Sequence, residues 1–455
     1  MAEYHVENFG CRASRADGEI ISAELRHRGL SPALSAAQAD VIVANTCSVT
    51  AQADRTARAF LRRVRRQNPT ARVLVTGCYA QRAPQEVAAL PGVYAVIGNS
   101  HKGLVPEIAR QAAGFVPLAA LQHPSALYVD DAFAHSELAM PQGGWQANGA
   151  AGAQTRPNLK VQDGCANRCS FCIIPTTRGH SRSLTIETCL SNVEAFVAGG
   201  GIELVLSGIN LGRFGRDLKP EQTLEDLVTA ILQRTALPRL RLSSIEPMDW
   251  TPRLLALFRD YSMDHEGTGG GRLARHAHLP LQSGSDAILR SMHRRYRPWH
   301  YAEKLRLIHE SMPGAAIGAD VMVGFPGESD VLFEESFAFI AAQPFTYLHL
   351  FPFSARPGTK AWQLAKESPV PPQAVAERMS RLQGLIADKN RVFRQGFVGR
   401  SLPAITLHTA QDGVPRALTD NFLEVCLNHK TPANQAVRVH VTGLRDGRLT
   451  ATLVA

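Results

Sequence analysis

A stretch of about 18 consecutive apolar residues, the minimum for a membrane-crossing helix, is absent from this 455-residue sequence. Met1–Gly10 carries acids and no apolar run, which argues against a secretory signal. Both absences place the expected compartment in the cytosol, with no membrane partner. No internal repeat stands out, so the length is expected to divide into two or three distinct domains. Hydrophobic residues make up 45% and charged residues 20%, ordinary for a soluble globular chain. Lys and Arg exceed Asp and Glu by nine. Spread over this length the excess is mild, compatible with a polyanionic partner and equally with none.

Disulfides are not expected in a reducing compartment, so the eight cysteines argue for metal or catalytic use. Six of them sit in motif-like surroundings. Cys189 and Cys426 do not, and read as ordinary thiols packed as small hydrophobes.

Residues 1 to about 115 alternate strand-like and helical runs. Asp40–Ala44 and Arg72–Thr76 read as short buried strands of a parallel sheet. Each ends in a polar turn with a cysteine, Cys47 and Cys78, and Cys11 follows the strand candidate Tyr4–Phe9. A helix is expected over roughly Ala53–Arg66. Ligands of open α/β sheets bind beyond the carboxyl ends of strands, so the three thiols could share one metal site or be unconnected.

Ala134–Thr155, rich in Ala, Gly and Gln, reads as a flexible linker. Beyond it, Glu203–Ser207, Arg239–Ser243, His276–Leu281, Ala316–Val323 and Tyr347–Phe353 alternate with helical patterns, as in a complete or partial βα barrel. Thr268–Gly271 lies in an expected surface loop. After a charged helix ending near Arg394, the runs Pro403–Leu407, Phe422–Leu427, Ala436–Thr442 and Leu449–Val454 suggest a small all-β barrel. The expected α/β organisation is an open-sheet domain at 1–115, a linker at 116–156, a barrel at 157–391 and a β domain at 392–455.

The sharpest motif is Cys165-x3-Cys169-x2-Cys172. Three thiolates within eight residues can bind three irons of a cubane and leave the fourth iron open to a chelating small molecule. Zinc prefers four ligands in a closed site, and no local His or Cys completes that set.

This spacing, with Phe171 before the last cysteine, resembles the radical S-adenosylmethionine (SAM) superfamily. Further pieces match in order: Gly199-Gly200-Gly201, Ser243–Pro247 with Glu246, Leu281–Ser285 with Gln282, and Asp320–Glu328. The resemblance implies a 4Fe–4S cluster on Cys165, Cys169 and Cys172. It also implies SAM contacts from Gly199, Gly200, Gly201, Glu246, Gln282 and Asp320. The segments around Cys11, Cys47 and Cys78 resemble the N-terminal domain of radical SAM methylthiotransferases, implying a second 4Fe–4S cluster on these cysteines. The C-terminal β segment resembles the RNA-binding TRAM barrel.

Within that family, Asn45–Thr50, Ala53–Arg55, Gly77–Gln81, Gln162–Cys165 and Cys172–Pro175 are most similar to the branch that methylthiolates N6-threonylcarbamoyladenosine beside the tRNA anticodon. The resemblance implies a tRNA substrate, an electron donor such as flavodoxin or ferredoxin, and an unspecified sulfur donor. It also implies hydrogen abstraction from C2 of adenine, a C–H bond that needs cofactor-borne one-electron chemistry. Alternatives are N6-isopentenyladenosine, an aspartate of a small-subunit ribosomal protein, and a non-catalytic iron–sulfur RNA-binding protein. The chain departs from the family pattern at Ser14, Asp17-Gly18 and Gly318-Ala319. Arg55, Arg58, Arg62, Arg63, Arg65 and Arg66 on one helix, and Arg294, Arg295 and Arg297 around Tyr296, are either phosphate contacts or solvated surface.

Overall fold

The computed structural model describes residues 2–113, 125–134, 155–263, 271–408 and 413–454. Nearly all of the expected linker 134–155, and Thr268–Gly270 of the expected surface loop, lie outside them. The chain forms two compact units.

The first unit comprises residues 1–146, 162–184 and 354–362. Its elements are β1 (Glu3–Asn8), α1 (Arg12–His27), β2 (Ser31–Pro32), β3 (Val41–Thr46), α2 (Ala51–Gln67), β4 (Arg72–Gly77), α3 (Cys78–Arg82), α4 (Pro84–Ala88), β5 (Val93–Ile97), α5 (Val105–Ala112) and β6 (Ala126–Tyr128). The strands form one parallel sheet in the order β2-β1-β3-β4-β5-β6. All six residues of β3 are buried, which is why that segment reads as a continuous apolar run. On α2, Ala57, Phe60, Leu61 and Val64 fall at the i, i+3, i+4, i+7 spacing and are buried, leaving the arginines outside. Thr50 caps the helix by accepting from the Ala53 N–H at 3.2 Å. The expected strands and helix are therefore present with ends moved by one or two residues. The unit also holds the end of β7 (Asn158–Asp163), then α6 (Ile174–Arg178) and β8 (Arg182–Ser183), with Gln162 and Asp163 paired antiparallel to Ser183 and Arg182.

The second unit contains α7 (Ile186–Ala198), β9 (Glu203–Gly208), α8 (Leu224–Arg234), β10 (Arg239–Leu242), α9 (Pro252–Tyr261), β11 (His276–Gln282), α10 (Asp286–Ser291), α11 (Pro298–Ser311), β12 (Ala316–Val323), α12 (Asp330–Ala342), β13 (Tyr347–Pro352), α13 (Lys360–Glu367, shared with the first unit) and α14 (Pro372–Gln395). The strand order is β10-β9-β7 in one sheet and β11-β12-β13 in the other. Leu240 of β10 bonds both ways to the segment before β11, with Leu240 N–H to Arg272 O at 2.7 Å and Ala274 N–H to Leu240 O at 2.8 Å. The result is a partial parallel βα barrel.

The tail forms a closed barrel of β14 (Ser401–Thr406), β15 (Arg416–Thr419), β16 (Glu424–Leu427), β17 (Ala436–Arg445) and β18 (Arg448–Val454), in the order β14-β15-β16-β18-β17. Leu402, Ala404, Val425, Val439, Val441 and Leu449 fill its interior. The Arg275 guanidinium pairs with Asp420 (2.6 and 3.2 Å), and Arg241 donates to Thr419 O (3.3 Å), tying the barrel to β10 and β11. Among the described residues no helix is long and apolar enough to cross a membrane.

Candidate active site

Cys11, Cys47 and Cys78 follow β1, β3 and β4, three adjacent strands of one parallel sheet, so they lie at one edge with strands about 4.8 Å apart. Cys11 is the N-cap of α1 and exposed; Cys47 and Cys78 are buried. Gly10, at φ 101°, lets its loop close over Cys47, because a Cβ there would lie 2.5 Å from the Cys47 Sγ. Burial pushes the Cys47 thiol up to about 12, and the nearby Cys78 and Cys11 sulfurs push it the same way. The Asn99 side-chain amide donates to Cys78 Sγ (3.5 Å) and to Thr177 O (2.8 Å).

The second group, Cys165, Cys169 and Cys172, is half-buried on the loop between β7 and α6. The loop is closed by Cys165 N–H to Gly179 O (3.1 Å) and Cys172 N–H to Cys169 O (3.2 Å), while Asn167 N–H points at Cys165 Sγ (3.4 Å). Gly164, at φ 76°, packs where a Cβ would strike His180 O.

Arg178 joins the two groups. Its fully buried guanidinium donates to Asp163 (2.9 and 3.1 Å), just before the second cysteine loop, and to Asp17 (3.0 Å), on the helix after Cys11. Burial alone would lower its pKa; Asp163, Cys78 and Asp17 outweigh that and hold it charged. Lys102 adds a second cation on Asp17 at 2.7 Å. The departures at Asp17-Gly18 now have a cause. Asp17 is the shared anion of this network, and any Cβ at position 18 would meet Asn8 Oδ1 at 1.8 Å. Ser14 Oγ lies 3.8 Å from Cys11 Sγ.

In the second unit, Glu246 follows β10 and pairs with Arg294, whose Nε donates to the Tyr296 hydroxyl at 3.0 Å. Gln282 ends β11 after a register shift, buried and at φ 66°. Such a conformation is costly for a side-chain-bearing residue and clusters at functional sites. Asp320 lies within β12 beside His278 and His349. These three sequence-derived positions therefore lie on or after neighbouring parallel strands. Gly199–Gly201 is different. It closes the C-terminus of α7 at the amino end of β9, and Gly200 O accepts from Asn434 at 3.1 Å. Strand polarity thus separates it from Glu246 and Gln282, and Ser207–Asn210 occupies the carboxyl end of β9 instead. Sequence reasoning matched a glycine run without asking which strand end carries it.

It also missed His278 and His349. The available signal was polar residues at period two, His276-x-His278, Gly318-x-Asp320 and Tyr347-x-His349, on three adjacent strands. The Gly318 departure belongs to the same face: a Cβ there would lie 2.0 Å from the Tyr347 ring. Glu328 anchors the turn after β12, accepting from Gly324 N–H (2.8 Å) and Arg378 (3.0 Å), with burial pushing its carboxyl up.

The basic patches separate. Arg294 is buried and paired, Arg297 pairs with Asp286 at 3.3 Å, and Arg295 is exposed. On α2, Arg58 donates to Tyr79 (2.9 Å) and Glu86 (2.7 Å), and Arg65 donates to Pro69 O (2.6 Å). Arg62 and Arg66 project to the surface.

Residues 159–340 match the Radical SAM superfamily, and residues 3–98 match a group described as uncharacterized protein family UPF0004. The threonylcarbamoyladenosine tRNA methylthiotransferase MtaB of Aquifex aeolicus is 33% identical over 433 residues, covering 95% of this chain and 98% of that protein. The chain belongs to the radical SAM methylthiotransferase family. This methylthiotransferase is also 32% identical, over 87% of its length and 85% of the relative's, to the tRNA-2-methylthio-N(6)-dimethylallyladenosine synthase of Geobacter metallireducens. The radical SAM methyltransferase TsrM of Kitasatospora setae shares the fold at a TM-score of 0.55 and 14% identity, covering 81% of this chain and 75% of that one. Enzymes of the family work with SAM and 4Fe–4S clusters.

Proposed function

We propose that the enzyme converts N6-threonylcarbamoyladenosine beside the tRNA anticodon to its 2-methylthio derivative, in the cytoplasm and with electrons from a flavodoxin or ferredoxin. The near-full-length similarity to the Aquifex MtaB carries this reading.

In this reading Cys165, Cys169 and Cys172 hold the SAM-cleaving cluster, and Cys11, Cys47 and Cys78 hold the auxiliary one. The donor sets suit thiophilic iron: three sulfurs follow adjacent strands at one sheet edge, and three more share one eight-residue loop. When bound, the clusters supply one-electron cleavage of SAM and carriage of the sulfur to be transferred. The chain's own residues do the rest. Asp163 and Arg178 fix the ends of the Cys165–Cys172 loop, and the Asn99 amide and the buried Arg178 charge offset the negative charge of metal-bound thiolates. Glu246, Gln282 and the Ser207–Asn210 turn are the groups offered to SAM, and the C-terminal barrel is offered to RNA.

The Geobacter relative favours a second substrate, N6-isopentenyladenosine. Mass spectrometry of tRNA nucleosides from a strain lacking this gene separates the two. Loss of the 2-methylthio form of N6-threonylcarbamoyladenosine is expected. Loss of the isopentenyl counterpart alone would transfer the assignment to the second substrate, and an unchanged nucleoside profile would remove both.

A further inference from the structure

The inner-strand face formed by His276, His278, Gly318, Asp320, Tyr347 and His349 has no part in the roles given so far to the cysteines, Glu246 or Gln282. His278, Asp320 and His349 place one ligand atom each within 4.8 Å of one another. The carboxylate Oδ1 of Asp320 lies 3.5 Å from His278 Nε2 and 3.2 Å from His349 Nδ1. The longer of these exceeds an ordinary N–H···O bond, which ends near ~3.2 Å. The shorter is an ordinary hydrogen-bond distance, and the two bracket the edge of about 3.3 Å expected of a tetrahedron whose centre is bonded to nitrogen and oxygen at about 2.0–2.1 Å. One carboxylate oxygen facing two imidazole nitrogens at that spacing is an arrangement that can take a shared cation.

The surroundings hold it in place. Asp320 and His349 are direct partners across β12 and β13, so their spacing is set by the sheet. The His278 Nδ1 is hydrogen-bonded to the Ser244 hydroxyl, which orients the ring with Nε2 towards Asp320. Such an outer hydrogen bond on the non-ligating nitrogen is what metal-bound histidines carry. Beside the group, His276 bonds the Tyr347 hydroxyl at 2.7 Å and packs on Phe422 at 4.5 Å, filling the neighbouring stretch of this face.

We infer that His278, Asp320 and His349 form a mononuclear site for a borderline divalent cation of the zinc or ferrous class, separate from the iron–sulfur clusters. Two imidazoles and a carboxylate select such ions over magnesium or calcium. Three protein ligands leave at least one position for water or an oxygen-bearing ligand, since His349 is more than half exposed. This role for Asp320 replaces the contact to SAM that its motif implied.

The test uses anaerobically reconstituted holoenzyme dialysed against micromolar zinc chloride, with zinc and iron counted per chain and the zinc K-edge measured. One zinc per chain is expected, coordinated by nitrogen and oxygen near 2.0 Å without sulfur near 2.3 Å. His349→Ala and Asp320→Asn should each weaken zinc retention at least tenfold, and Ser244→Ala about tenfold, with the iron count unchanged. Unchanged iron shows that the variants fold. No retained zinc, sulfur-coordinated zinc only, or equal retention in wild type and both ligand variants overturns the site. Zinc bound in a chain that takes up no iron would leave this site standing and refute the cluster assignments.

Discussion

Cys47 is the residue on which the auxiliary assignment turns, because it is buried between two strand-end neighbours that carry the other thiols. Cys47→Ala should lower the iron content from about eight to about four per chain. It should keep reductive cleavage of SAM and lose methylthio transfer, read as 5′-deoxyadenosine formed without modified nucleoside. Gly10→Ala tests the same place without replacing a cysteine. The added Cβ meets the Cys47 sulfur from a backbone at φ 101°, so similar iron loss and destabilisation of about 1–3 kcal/mol are expected in thermal unfolding. Arg178→Leu would leave Asp17 and Asp163 buried with their shared cation gone. A cost of about 3–5 kcal/mol is expected, and the conservative Arg178→Lys should recover part of it. The cysteine groups were legible because three thiols each follow a strand-like run and three more fall within eight residues, spacings that the local sequence shows directly. Arg178 was not, since a lone arginine after a cysteine loop carries no pattern until folding sets two distant aspartates beside it.

Elements were legible where burial left a period. The buried β3, the amphipathic α2 and the barrel strands β11 to β13 appear within a residue or two of their expected bounds. β7 was not foreseen. Asn158–Asp163 contains Lys160, Gln162 and Asp163, all buried; Gln162 is bonded to Gly164 O and Ser181 and Asp163 to Arg178, polar ties that leave no apolar period to read. The same limit misplaced the glycine run at 199–201, where composition matched and strand polarity did not. On α2, Arg58 is committed to Tyr79 and Glu86, Arg65 to Pro69 O, Arg55 to Gln52 and Arg63 to the face of the Phe60 ring, which directs the phosphate question first to Arg62 and Arg66. If they contact RNA, Arg62→Glu with Arg66→Glu should raise the KM for tRNA and leave kcat nearly unchanged. The salt slope of binding should then fall by up to about two. An unchanged slope would make that face plain solvated surface.

At the scale of the molecule, both thiol groups belong to one compact unit, although about ninety residues of sequence separate Cys78 from Cys165. The buried ion network of Asp17, Asp163, Arg178 and Lys102 explains how the two loops are held together. Hydrophobic periodicity could not reveal that, because the ties are polar. The C-terminal barrel is likewise bonded to the βα unit through Arg275–Asp420 and Arg241–Thr419. Removing residues 397–455 should therefore lower the melting temperature as well as weaken RNA binding, because Arg275 would lose its carboxylate partner. If one chain carries two separate three-cysteine iron sites, each should hold its own cluster. Iron quantified with Mössbauer spectroscopy on wild type, Cys47→Ala and Cys169→Ala addresses it directly. About eight irons in 4Fe–4S form are expected for wild type and about four for each variant, with 5′-deoxyadenosine formed by Cys47→Ala and not by Cys169→Ala. Four irons in the wild type, or loss of all iron from either single variant, would contradict it.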